Sequence, residues 1–255
     1  MMDTLPPEKI LQWLVTAGAD ENIGDSPVDR FAAAKPASFT VPSSEAAFSR
    51  EKKPDAPAGD GAADAFACQA ASLEELKQIL AGFDKCPLKA TATNMVFGTG
   101  NAGAKLMIVG EAPGAEEDRQ GLPFVGASGH LLDSMLASIG LKREDVYITN
   151  ILPWRPPGNR KPSEDEIALM TPFVRRHIAL VGPELLLLLG GSAAAALMNT
   201  NAGITKIRGR WMTYSDGGFT VPAIASFHPA FLLRTPAQKK FAWRDFLTLR
   251  QKLVL

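Results

Sequence analysis

The feature that most constrains the fold is an alternation of short apolar runs with helical stretches from residue 105 onward. Apolar runs this short, without polar alternation, are typical of strands in a parallel sheet that is covered on both faces. The four runs that we predict to be strands are 105–110, 146–150, 184–190 and 221–227. The helices that we predict around them are 128–139, 163–181, 192–198 and 237–253. This order predicts an α/β fold, with three α/β/α layers around a central four-stranded parallel sheet.

The first quarter of the chain has a different composition from the rest. Residues 7–18 place Ile10, Leu11, Leu14 and Val15 on one helical face, so we predict an N-terminal helix within residues 1–23. Residues 24–66 are rich in Ala, Pro, Ser and Gly, a composition that buries little apolar surface and favours a disordered linker. We therefore place the folded domain at residues 67–255.

Composition and cysteine number exclude several classes of protein. The chain has 255 residues, of which 46% are hydrophobic, but it contains no run of about 20 apolar residues that could cross a membrane. Its start lacks the basic and apolar segments of a signal peptide. The two cysteines, Cys68 and Cys86, cannot form a four-thiolate metal site. We expect a cytoplasmic monomer that does not contact a membrane.

A formal net charge of zero conceals an uneven distribution along the chain. Residues 1–66 carry an excess of acidic side chains, whereas residues 205–252 carry nine Lys and Arg against two Asp. The basic C-terminal part is compatible with a polyanionic partner such as DNA, and equally with an ordinary solvated basic face.

Polar residues follow three of the predicted strands. Glu111 follows the first strand, Asn150 ends the second and His228 follows the fourth. Ligands of parallel α/β sheets bind at the carboxyl ends of the strands, so these residues are candidates for a site. The Asn150 amide could read the edge of a nucleobase, or it could form an Asx turn before Pro153.

Two loops have compositions that suit a ligand site. Residues 110–129 contain five Gly and two Pro, which let backbone N–H groups approach a ligand, and Phe124 is either a core residue or a stacking platform. Residues 155–162 form a stiff Pro-rich loop with Arg155, Arg160 and Lys161. These three cations would contact phosphates, or they would simply be solvated.

Several separated motifs, taken in order, resemble the family 4 uracil-DNA glycosylases. They are GEAPG with EED and PFVG, then TN, RPP-x-NR, ITKIRGRW and HPA-x-LLR, and together they cover residues 83 to about 250. The resemblance implies a DNA repair enzyme that flips uracil out of single- or double-stranded DNA and hydrolyses its N-glycosidic bond, leaving an abasic site. The alternatives are a non-catalytic binder of uracil-containing or abasic DNA, and an α/β protein that acts on free nucleotides.

The resemblance also implies roles for individual residues. His228 would donate a hydrogen bond to uracil O2, and Glu117 or Asp118 would act as the catalytic carboxylate, with Glu117 alternatively crowding uracil C5 to exclude thymine. The implied substrate-binding residues are Gly110, Glu111, Ala112, Phe124 and Asn150. The implied DNA contacts are Arg155, Arg160, Lys161, Arg208 and Arg234, with Phe231, Leu232 and Leu233 as candidate wedges.

The chain departs from this family at the positions that match its iron–sulfur ligands. The family binds a four-iron, four-sulfur cluster through four cysteines, and the matching residues here are Phe83, Cys86, Trp154 and Met170. Because such a cluster is held by cysteine thiolates, we predict that this chain has no iron–sulfur cluster and no other metal.

Overall fold

The computed structural model describes residues 61–253. The helix predicted within residues 1–23 and residues 24–60 of the linker predicted over residues 24–66 lie outside this part of the chain. Residues 61–66, which were predicted to belong to the linker, form most of a helix instead. The ordered domain therefore includes residues before the predicted boundary at residue 67, because Ala63 and Ala67 of this helix are buried in the core.

The described residues alternate strands and helices through most of their length. The helices are α1 (Gly61–Cys68), α2 (Leu73–Gly82), α3 (Ala115–Gln120), α4 (Ala127–Ser138), α5 (Glu164–Val181), α6 (Gly191–Met198), α7 (Ile204–Ile207), α8 (Pro229–Arg234) and α9 (Lys239–Leu253). The strands are β1 (Thr99–Gly100), β2 (Leu106–Gly110), β3 (Val146–Asn150), β4 (Leu185–Leu189), β5 (Trp211–Asp216) and β6 (Phe219–Ser226). Where a predicted strand or helix is present in the structure, its observed ends differ from the predicted ends by no more than a few residues.

The described strands form one sheet in the order β1-β3-β2-β4-β6-β5. The four central strands are parallel, and β1 and β5 pair antiparallel to β3 and β6 at the two edges. The predicted α/β class is confirmed, but the sheet has six strands rather than four. The sequence Asp216-Gly217-Gly218-Phe219 is a signal for a two-residue hairpin, and both glycines have positive φ values of 52° and 89°.

Side chains of successive strand residues enter two different hydrophobic clusters, one on each face of the sheet. Met107 and Val109 pack with helices α1, α2, α5 and α6, whereas Leu106 and Ile108 pack with helices α4 and α9. This alternation follows from the two-residue period of a strand, and it produces the three layers. Within residues 61–253, no helix is both long and apolar enough to cross a membrane.

The Asp245 carboxylate of α9 forms an ion pair with Arg208, which follows α7, and a hydrogen bond with Ser226 at the end of β6. The Asp245 carboxylate, which is 1% exposed, accepts hydrogen bonds from Ser226 Oγ at 2.7 Å and from Arg208 Nε at 3.0 Å. The Arg208 guanidinium also donates to the Phe241 carbonyl oxygen at 2.5 Å and lies 5.4 Å from the centre of the Phe227 ring. Arg208, whose side chain is 16% exposed, is thus bound to Asp245 and supports the segment before His228. The phosphate contact expected of Arg208 stays a prediction from the sequence.

We expect Asp245→Ala to lower the free energy of unfolding by about 3–5 kcal/mol, because Arg208 would be left buried without its partner. Urea denaturation followed by circular dichroism measures this loss. The control is Asp84→Ala, which removes an ion pair with Lys89 whose aspartate side chain is 85% exposed, and it should cost less than about 1 kcal/mol. Equal losses in the two variants would contradict the role assigned to Asp245.

Candidate active site

A cavity of about 670 Å³ lies at the carboxyl ends of the parallel strands. The structure brings most of the predicted site residues to its walls. Those that line it are Glu111, Ala112, Glu117, Phe124, Asn150, Arg160, Lys161, His228 and Arg234. Gly110 lies in close contact with the side chains of Asn150 and Phe124. The cavity walls do not include Asp118, Arg155 or Arg208.

The deepest part of the site is a close contact between the ends of β2 and β3. Their parallel register places Gly110 opposite Asn150. A Cβ atom on Gly110 would lie 2.4 Å from Asn150 Oδ1 and 2.6 Å from Phe124 Cζ, so this position requires glycine. Asn150 is 4% exposed, and its Oδ1 atom is buried with no hydrogen-bond partner among the described residues. A ligand N–H group at this atom would recover about 1–3 kcal/mol that the unpaired acceptor costs.

Phe124 both packs into the core and faces the cavity. Its ring is 4% exposed and stacks on the His228 ring with 5.5 Å between ring centres. Its φ angle of 54° lies in the left-handed region, which is costly for a residue with a bulky side chain. The surrounding contacts must therefore hold this residue in place.

Two charged side chains hold the backbone on either side of Phe124. Glu117 accepts hydrogen bonds from the backbone N–H groups of Val125 at 3.0 Å and Gly126 at 2.9 Å, and from Gly114 at 3.1 Å. On the other side, the Arg143 guanidinium donates to the Phe124 carbonyl oxygen at 2.7 Å and also to the carbonyl of Pro123. Glu117 and Arg143 therefore position the Phe124 ring.

His228 is the N-cap of α8, and its hydrogen bonding assigns the ring proton. Its Nδ1 atom accepts a hydrogen bond from the Ala230 N–H at 3.2 Å, so the proton of the neutral ring lies on Nε2. Burial lowers the pKa of His228 below its ordinary value; the negative charge of Glu111 opposes this shift and the positive charge of Arg234 adds to it. The site therefore presents a neutral imidazole with an N–H donor.

The four carboxylates at or beside the cavity are in different environments. Glu116 lines the cavity and is paired with Arg119. Both oxygens of Glu117 are occupied by backbone N–H groups. Asp118 does not line the cavity. Its Oδ1 accepts from the backbone N–H groups of Thr93 at 2.8 Å and Asn94 at 3.1 Å, and its Oδ2 lies 4.0 Å from Arg155 Nη1. The catalytic role of Asp118 stays a prediction from the sequence. Glu111 lines the cavity, and its carboxylate forms no hydrogen bond or ion pair with any of residues 61–253.

Positive charge is placed at the rim of the cavity rather than inside it. Lys161 and Arg234 line the rim, and neither side chain has an acidic partner within the described part of the chain. Arg160 donates to both carboxylate oxygens of Glu166, at 2.9 and 2.5 Å, and this pair lowers the pKa of Glu166 to about 2. Arg155 is outside the cavity and donates to Asn159 Oδ1 at 2.7 Å. Lys161 and Arg234 are thus the predicted phosphate contacts that are available to an anionic ligand.

The four residues that match the iron–sulfur ligands lie together in the apolar core. Phe83, Cys86, Trp154 and Met170 are each at most 3% exposed and belong to one hydrophobic cluster. Burial raises the pKa of the Cys86 thiol, which disfavours the thiolate that a metal needs. Residues 61–253 contain no group of three or more His, Cys, Asp or Glu that could hold a metal ion. These side chains do not fit an iron–sulfur cluster.

The comparisons with known proteins agree with this geometry. A family model described as the uracil DNA glycosylase superfamily matches residues 97–247, more than half of the chain. The chain therefore belongs to the uracil-DNA glycosylase superfamily. It is 41% identical over 179 residues to the type-4 uracil-DNA glycosylase of Archaeoglobus fulgidus, covering 69% of this chain and 90% of that protein.

Other relatives have a similar degree of identity. The type-4 uracil-DNA glycosylase of Sulfurisphaera tokodaii is 39% identical over 185 residues, or 71% of this chain and 84% of that protein. That of Thermotoga maritima is 40% identical over 166 residues, or 63% of this chain and 85% of that protein.

Sequence reasoning missed the contribution of Arg143 and the free carboxylate of Glu111. Arg143 lies in an exposed-looking Lys-Arg-Glu-Asp turn, so nothing in the local sequence indicates that it reaches Phe124. The sequence analysis gave Glu111 only a substrate-binding role, and the hydrogen bonds of Glu117 show which carboxylate remains available.

We expect His228 to be neutral at pH 7 and to gain its proton only below its ordinary pKa of about 6.5, because burial penalises the cation. A pH titration of the ring resonances by NMR of ¹⁵N-histidine-labelled protein measures this pKa and the tautomer. His228→Gln assigns the signal, which should disappear in that variant. A pKa above 6.5, or a proton on Nδ1 at neutral pH, would contradict the assignment.

Proposed function

We propose that the chain excises uracil from DNA by hydrolysing the bond between uracil N1 and deoxyribose C1′. The observation that carries this proposal is the unpartnered Oδ1 atom of buried Asn150, in a cavity that Phe124 and His228 also line. The N3–H group of uracil can donate a hydrogen bond to this oxygen. The amide N–H of Asn150 can in turn donate to uracil O4.

The same contact supports discrimination against cytosine. Cytosine carries an acceptor at N3 and an amino donor at C4, the reverse of the uracil pattern. Cytosine would therefore leave Asn150 Oδ1 buried and unpaired and would place two donors against each other. A site that hydrogen-bonds one pattern rejects the reversed pattern because buried polar groups remain unsatisfied.

His228 is placed to stabilise the leaving uracil. Breaking the glycosidic bond puts negative charge on the base, chiefly on O2 and O4, and positive charge on the sugar. The Nε2–H group of His228 would donate to O2 as this charge develops, which stabilises the transition state more than the ground state. Water adds its hydroxyl to C1′, and the departing uracil anion takes up the remaining proton.

Glu111 supplies the carboxylate for the sugar and the attacking water in this proposal. Its carboxylate is uncommitted and close enough to His228 for its charge to influence the histidine pKa. Glu117 acts by positioning the Phe124 loop, because its two oxygens are held by backbone N–H groups. This assignment replaces the catalytic role predicted for Glu117 from the sequence.

The base must leave the stack to reach Asn150, and α8 is placed to support this step. Among the three candidate wedges, Leu232 is 1% exposed and Leu233 is 42% exposed. We therefore assign the wedge to Leu233, with Arg234 beside it and Lys161 across the cavity to contact phosphates. Single-stranded and duplex DNA both remain substrates of this proposal.

We also propose that the chain works without an iron–sulfur cluster. One thiol is present among the four matching positions, and the other three side chains fill the space with apolar groups. No step above involves a metal. The monomeric state and the cytoplasmic location remain predictions from the sequence.

We expect the full chain to release uracil from a single-stranded oligonucleotide. We expect Asn150→Ala to reduce the single-turnover rate by about 10²-fold or more, because losing one comparable polar contact to a transition state has an effect of this size. His228→Ala should reduce the rate comparably while retaining DNA binding. Lys77→Ala, at an exposed position of α2, is the matched control. Tight uracil-DNA binding without release by the parent chain would instead favour the non-catalytic binder.

We expect the protein, purified anaerobically after growth in excess iron, to contain no stoichiometric iron and to show no visible absorption band of a cluster. Cys86→Ala should retain uracil release, since the thiol acts as a small core side chain. Elemental analysis and uracil release measure the two outcomes. Stoichiometric iron that is lost in Cys86→Ala would contradict the proposed absence of a cluster.

A further inference from the structure

A second groove lies on the other side of α8 from the uracil cavity. It has a volume of about 200 Å³. On α8, Phe231 and Arg234 line the cavity, whereas Leu232 lines the groove. On α4, Ser128 lines the cavity, and Leu131, about one turn further along, lines the groove. A single short helix therefore separates the two sites.

The walls of this groove are mostly apolar and carry an exposed indole; Lys239, Ser134 and Ser138 are the polar residues among them. Met135 of α4 and Phe246 of α9 line it together with Leu131 and Leu232. Trp243 also lines it and is 45% exposed, which is high for so large an apolar side chain. An indole at the mouth of an apolar groove offers a flat stacking surface for a planar ligand.

The helix that carries Trp243 is positively charged on its exposed side. Lys239, Lys240 and Arg244 are exposed, and none of them forms an ion pair with any residue between 61 and 253. The acidic residue of this helix, Asp245, is buried and paired with Arg208. Aromatic and cationic side chains in alternation are typical of surfaces that bind single-stranded nucleic acid.

We propose that this groove is a second DNA subsite, which takes an unpaired nucleobase of a nucleotide that flanks the flipped uracil. The flanking base stacks on Trp243, and Lys239, Lys240 and Arg244 contact the neighbouring phosphates. The inference rests on the proposed function, because the strand that occupies the uracil cavity must continue past α8. Exposed Leu233 and Arg234 lie between the two sites and continue the same surface.

A nucleobase suits the groove better than an acidic peptide for two reasons. The groove adjoins a cavity whose rim already carries the cations Lys161 and Arg234. The basic residues beside the groove, of which Lys239 also lines it, follow one exposed helix and do not encircle the groove. Such a row suits a backbone of spaced phosphates. Since stacking needs an unpaired base, the subsite favours single-stranded or frayed DNA over duplex DNA.

The test is the affinity of the full chain for an undamaged single-stranded thymidine oligonucleotide, measured by fluorescence anisotropy. Trp243→Ala should weaken binding about 5- to 100-fold, the effect of losing one stacked base. Trp243→Phe should recover most of the affinity, because a phenyl ring still offers a flat face. Phe66→Ala is the matched control, since Phe66 is 41% exposed on α1, which packs against α5 on the other face of the sheet.

A salt series separates phosphate contacts from stacking. Lys239→Ala and Lys240→Ala should each reduce the slope of log affinity against log salt by about one, whereas Trp243→Ala should leave the slope unchanged. Duplex DNA of the same length should be much less sensitive to Trp243→Ala than the single strand is.

Two results would overturn the subsite. One is that the folded Trp243→Ala and Trp243→Phe proteins both bind the undamaged single strand with the affinity of the parent chain. The other is an equal loss of affinity for single-stranded and duplex DNA, which would leave no role for an unpaired base. Failure of the proposed function is distinguishable, because it would appear as absent or Asn150-independent uracil release, whatever Trp243 does.

Discussion

The contact between the ends of two parallel strands is the constraint on which the rest of the site depends. The register of β2 and β3 brings Gly110 against Asn150 so closely that no side chain fits between them. Asn150 Oδ1 is buried at this contact and has no hydrogen-bond partner within residues 61–253. A buried acceptor without a donor costs free energy, so the site favours ligands that supply the donor and disfavours ligands that do not.

The neighbouring residues hold the other cavity side chains in fixed positions around that acceptor. Phe124 holds a left-handed backbone conformation, and Glu117 and Arg143 stabilise it from opposite sides. His228 begins α8 with its Nδ1 already bonded, so its remaining N–H group is fixed before a ligand arrives. Preorganised donors of this kind need no rearrangement as charge develops, which is the reason they contribute strongly to catalysis.

The sequence predicted the central strands well because each is a short apolar run, and a polar residue ends or follows three of the four. Asn150 and His228 could be assigned to the site by this logic alone. The sequence did not show which of Glu111, Glu117 and Asp118 is free, since their partners are loop backbone groups that only the folded chain defines. Arg208 looked like a DNA contact because its partner, Asp245, lies 37 positions further along the chain.

The central claim is that Asn150 Oδ1 reads the N3–H group of uracil, and the most direct measurement is the binding of free bases to the full chain by competition or calorimetry. We predict that uracil binds, and that 3-methyluracil and cytosine, which lack the N3–H donor, bind at least tenfold more weakly. Asn150→Ala should remove this preference. Equal binding of uracil and 3-methyluracil to the parent chain would contradict the account.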